Sequence, residues 1–177
     1  MRTGLKPKVL QALRDTRAAT AVDFALLAIP LIGIILFSLQ LAIVSFYDQM
    51  LQTGAEKAAR QLMTGSAQDA SLTQAQFQSA VCANLTQFTC SGLMVDVQSA
   101  GAFSQVSTSP LSPTYNGSGA VTNTWNYSPG AAGDIVIMRV MYGWPIVGGP
   151  FAFGLANQSN GTFLLVATAV FKNEPYQ

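Results

Sequence analysis

Three side chains in this chain of 177 residues stand where their chemistry demands an explanation: Asp23, Cys82 and Cys90. Asp23 is a lone carboxylate at the head of an apolar run, and no Asp, Glu, Lys or Arg follows it before Asp48. A charge at the mouth of such a run is costly without a partner, so it is a functional hypothesis by default. It also has a plainer explanation, because the dipole favours an acid in the first turn of any helix by about 0.3–1 kcal/mol. Cys82 and Cys90 are the chain's two cysteines. No cation nearby would lower a thiol pKa, which favours a structural bridge over a reactive pair. Such a bridge persists in an oxidising compartment.

The remaining composition argues against catalysis. With no His, imidazole-based dyads and triads are excluded, and the carboxylates and cysteines are too few and scattered for a zinc site, so no metal and no cofactor is expected. Neither Gly117 and Gly119 nor Gly143, Gly148 and Gly149 form a phosphate loop with a following Lys and Ser/Thr. Nine Lys and Arg against eight Asp and Glu leave a net charge of +1, with no basic stretch beyond the start, so nucleic acid is not an expected partner. Asn84, Asn116, Asn126, Asn157 and Asn160 each begin an Asn-x-Ser/Thr sequence, a pattern that recurs by chance in Asn- and Ser-rich loops.

The element that carries Asp23 is the run from Phe24 to Phe46, long enough to cross a bilayer core, which needs about 20 apolar residues. It exceeds the roughly 7–15 residues of a secretory signal's apolar core, and Tyr47, Asp48 and Gln49 offer no small-residue cleavage site, so a retained anchor is expected. Arg2, Lys6, Lys8, Arg14 and Arg17 precede the span against Asp15 alone. The positive-inside rule therefore puts the N-terminus in the cytoplasm and exports the rest. Pro30 removes a backbone donor within the span and predicts a kink there.

Helical spacing continues past the span through Met50, Leu51, Ala55, Ala58, Ala59, Leu62 and Met63, until Gly65 and Ser66 stop it. A helix over residues 19–64 would be about 70 Å long. Thr73 and Gln76 have capping-box spacing and predict a second helix from Gln74 to about Gln87, with Cys82 on it and Cys90 just beyond. Alternation predicts strands at Leu93–Val97, Asp134–Trp144 and Thr162–Lys172. The expected class is α+β: a basic leader (1–18), a transmembrane and extended helix (19–64), and an exported domain (65–177). In that domain a helix packs on an antiparallel sheet of three or more strands. The loop Ser99–Gly133 holds Phe103, Tyr115, Trp125 and Tyr127. So long a loop either faces a partner or folds its aromatics back on the sheet.

Ala18, then Ala19-Thr20-Ala21-Val22, then Asp23-Phe24-Ala25 with Pro30 in the helix behind them, resembles the start of TadE/TadG-like pseudopilins of the tight-adherence (Flp) pilus. Ala55 to Arg60, Tyr142-Gly143-Trp144-Pro145 and Phe171 to Pro175 are similar to further features of that family. The resemblance implies a pilin-like, single-pass protein of the bacterial inner membrane with a periplasmic domain, acting in pilus assembly or initiation and not as an enzyme. Its partners would be pilin and pseudopilin subunits, the inner-membrane assembly machinery, a prepilin peptidase and membrane lipid. In processed relatives the peptidase cuts after the small residue, here between Ala18 and Ala19, and the acid that follows pairs with a neighbour's new amino terminus. Ala18 stands where the family usually has Gly, and Asp23 where it has Glu. An unprocessed envelope scaffold and a surface adhesin using the aromatic loop are the rival readings.

Overall fold

The computed structural model describes residues 16–107, 109–146 and 154–175; the leader up to residue 15 lies outside them. Helix α1, Thr16–Met63, runs for 48 residues without a break at Pro30. At 1.5 Å per residue it is about 70 Å long. It ends because Gly65 takes a left-handed φ of 78°, a conformation that glycine adopts without steric penalty. A single turn, α2 (Ser66–Asp69), follows.

Helix α3, Gln74–Ala83, starts on the expected capping box: the Thr73 side chain accepts from the Gln76 backbone while the Gln76 side chain accepts from the Thr73 backbone. It stops four residues short of Gln87. Tight turns close it instead, with Leu85 N–H donating to the Cys82 carbonyl and Phe88 N–H to the Leu85 carbonyl. These turns point Leu85 and Phe88 inward, where both are buried.

Three strands, β1 (Leu93–Ala100), β2 (Ile135–Pro145) and β3 (Thr162–Lys172), form an antiparallel meander in the order β1-β2-β3. Leu93 pairs with Tyr142 and Ala100 with Ile135, and Arg139 sits between Asp96 on one side and Thr168 on the other. The architecture is therefore α+β. Leu93, Val95 and Val97 of β1, Val136, Met138 and Val140 of β2, and Leu165 and Ala167 of β3 share one buried face. Against it pack Leu51, Ala55, Ala58 and Leu62 of α1 with Phe77 and Val81 of α3. Small residues on α1 let the helix come close. An added Cβ on Gly54 would lie 2.3 Å from Leu85 Cδ2, so this position tolerates no side chain without displacing a buried leucine.

Strand β1 runs three residues past Val97, so the long loop begins at Gly101 and not at Ser99. Within it, residues 126–128 run beside β1: Val97 N–H donates to the Asn126 carbonyl at 2.8 Å, and Ser128 N–H to the Val97 carbonyl at 2.9 Å. The outer edge of β1 is thus covered at this point.

Candidate functional site

The site suggested by the residues is the surface of α1 and what holds it in place. From Val22 to Phe46 nearly all of its large apolar side chains point outward, Val44 being the buried exception: Phe24 is 74 % exposed and Leu27 72 %. Of the most apolar 18-residue window of the helix only 11 % is buried, which sets it apart from the core helix of a water-soluble fold. The two serines within this half satisfy themselves. Ser38 Oγ donates to the Ile34 carbonyl at 2.8 Å and Ser45 Oγ to the Leu41 carbonyl at 2.9 Å. That back-bonding suits a helix with no water beside it.

Asp23 is exposed on this half, and among the described residues its carboxylate has neither an ion pair nor a hydrogen bond. Because α1 begins at Thr16, three residues before the expected start at Ala19, Asp23 lies outside the first helical turn, which holds no acid. The dipole effect fades within that turn, so it does not account for Asp23. The backbone at Ala18 and Ala19 is helical.

Sequence reasoning passed over Gln40. This amide sits inside the apolar half, and its Oε1 is buried without a hydrogen-bond partner among the described residues. The available signal was one amide in a run otherwise made of Leu, Ile, Ala, Val, Phe, Ser, Gly33 and Pro30. Interhelical contacts in lipid are strengthened by such groups.

The other half of α1 is welded to the domain. Tyr47 stacks on Trp144 with ring centroids 3.7 Å apart, and Phe88 meets Tyr47 edge-on at 5.7 Å. At the far end the Glu174 N–H donates to the Met63 carbonyl at 2.8 Å, so β3 runs in the same sense as the helix. Cys82, at the end of α3, is joined to Cys90 with a Cα–Cα distance of 5.5 Å. The bridge lies in the domain and Asp23 on the exposed half of the helix, so the structure does not bring these residues into one centre.

The long loop is tied to the sheet face opposite the helices. There Asp96 and Arg139, 1 % and 5 % exposed, approach to 3.9 Å. Asp96 also accepts from the Asn126 N–H at 3.0 Å and from Gln98 Nε2 at 2.8 Å, while Arg139 donates to the Ser107 carbonyl. Buried charges persist only when paired and hydrogen-bonded in this way. Asn173, 2 % exposed, holds the loop's end by donating to the Pro129 and Ala131 carbonyls. Of the four loop aromatics, Tyr127 folds back against Phe77 with centroids 5.5 Å apart, and burial raises its phenol pKa. Phe103 remains 66 % exposed. One loop aromatic thus folds back on the domain, against a helix, while another stays at the surface.

Residues 18–60 match the family model described as TadE-like protein. The matched segment is helix α1 and leaves the sheet domain outside it. No curated protein and no solved structure matches the chain.

Proposed function

We propose that this protein is a single-pass, membrane-anchored subunit of a tight-adherence pilus system that acts by helix packing in assembly or initiation. The observation that carries this reading is the division of one unbroken helix. Its first half offers an apolar surface with a carboxylate that has no partner among the described residues, and its second half is sealed into the domain core. The TadE-like match over the same helix supports it. In lipid, apolar side chains gain little by leaving acyl chains, so association depends on close fit and on polar contacts. Ala25, Ala28, Gly33 and Ala42 permit close approach, Asp23 sets axial register by pairing with a cation of a neighbouring subunit, and Pro30 bends the rod. The N-terminus is cytoplasmic and the sheet domain periplasmic, as the leader's charge requires.

The test is Asp23→Ala in the full chain. The variant should reach the membrane fraction at the wild-type level and abolish pili; normal piliation would remove the register role. A second reading, the unprocessed envelope scaffold, draws support from the helical backbone through Ala18 and Ala19. The intact mass of the membrane-extracted protein separates the two. Loss of residues 1–18 favours the pilin route, and the full-length mass favours the scaffold.

A further inference from the structure

Exposed apolar surface on α1 ends at Phe46, which is 60 % exposed, and at that level the domain presents a group of aromatic rings. Phe46 meets Tyr47 edge-on at 5.7 Å, Tyr47 stacks on Trp144, and Phe88 meets Tyr142 edge-on at 4.9 Å. The Tyr142 hydroxyl is tied to Thr89 Oγ1 at 2.9 Å. Tyr47, Tyr142 and Trp144 are each half-buried, so each keeps part of its ring at the surface.

Position along the helix gives these rings their meaning. A hydrocarbon core about 30 Å thick takes about 20 helical residues. Counted back from Phe46, that length reaches Leu26, and Asp23 falls in the opposite headgroup layer. Trp and Tyr concentrate at headgroup level because one part of the ring system is apolar and another is polar. We propose that Phe46, Tyr47, Tyr142 and Trp144 form a seat by which the domain rests on the bilayer, the partner being the lipid surface itself. The inference rests on the membrane-spanning reading of α1 and adds to it an orientation. The Trp144 end of the sheet faces the membrane, and the end at Ala100, Ile135 and Lys172 faces away.

The chain's other tryptophan supplies an internal control. Trp125 lies level with Val95, because Val97 bridges Tyr127 in parallel, and Val95 pairs with Val140. Val140 precedes Trp144 by four residues along β2, so the backbone at Trp125 sits about 13 Å farther up the sheet at about 3.3 Å per residue, while its side chain lines a cavity shared with Leu93 and Gly143.

The experiment places the full chain in phosphatidylcholine vesicles that carry nitroxide-labelled lipid, with the label either near the headgroup or near the chain end. Trp125→Phe leaves Trp144 as the reporter, and Trp144→Phe leaves Trp125. Trp144 should be quenched at least about twofold more by the shallow label than by the deep one, as for an interfacial ring, and Trp125 by neither. If the protein floats with the vesicles and Trp144 is as unquenched as Trp125, the seat is overturned while the span stands. Quenching of Trp144 that appears only on dilution to monomer overturns it too, giving the surface to a second copy. A chain that does not float with the vesicles overturns the span, and the seat with it.

Discussion

Residues 22–46 and residues 51–62 belong to the same helix and meet opposite surroundings. In the second stretch Leu51, Ala55, Ala58 and Leu62 are fully buried and recur at helical spacing, while Glu56, Lys57 and Arg60 stay exposed. In the first stretch large apolar residues occupy every side of the helix and almost all of them are exposed. A helix that is apolar all round is at home in a core or in a membrane, and one with an apolar stripe is at home against a folded domain. Backbone geometry is indifferent to the change of solvent, so the rod transmits the position of the span directly to the domain.

Truncating one leucine from each half breaks this comparison most sharply. Leu51→Ala should cost the domain about 2–5 kcal/mol, as for a fully buried leucine. Leu27→Ala should leave the domain's unfolding curve unchanged. Denaturant titration of the detergent-solubilised protein measures both, and equal losses would mean that the two halves share one core. Replacing Cys82 by Ser should cost about 2–3 kcal/mol, the loop-closure value for so short a loop. Thiol labelling of the native wild-type chain should be negative, and ready labelling would contradict the bridge. Gly54→Ala tests the tightness of the welded half. Overpacking against Leu85 should cost about 1–3 kcal/mol, seen as a lower denaturation midpoint.

The smallest effect belongs to Tyr127, which contrasts the loop with the helix. Burial raises its phenol pKa above the ordinary 10.0, so the folded chain keeps the proton at a pH where the unfolded chain has lost it. The associated stability is intact below pH 10.0 and declines as pH rises through the raised folded value. Tyr127→Phe should abolish that alkaline decline. Because the buried hydroxyl has no partner among the described residues, the change at neutral pH should stay within about 0.5 kcal/mol. Stability curves from neutral to alkaline pH for the two proteins decide it.

Much of this molecule is written in local pattern. Alternation at Leu93, Val95 and Val97 and along Val136 to Trp144 placed β1 and β2 within a few residues of their observed limits, and Thr162–Lys172 was found with both ends correct. Thr73 and Gln76 marked the start of α3 through a hydrogen-bond pair three residues apart. The end of α3 was missed because its apolar spacing continues into Leu85 and Phe88, which tight turns also bury. Helix α1 begins three residues before Ala19, where no apolar periodicity marks it, and this leaves Asp23 beyond the first turn.

What the sequence determined by itself was the kind of each element and the solvent each stretch of α1 prefers, since both follow from side chains within a few residues of one another. Tertiary structure alone decided which distant groups meet. Strand register sets Asp96 opposite Arg139, the course of residues 126–128 brings Tyr127 to Phe77, and the pairing of β2 with β3 carries Trp144 onto Tyr47. The physical reason is that each contact joins groups dozens of residues apart, and its partner is selected by the packing of whole elements, which no local spacing encodes.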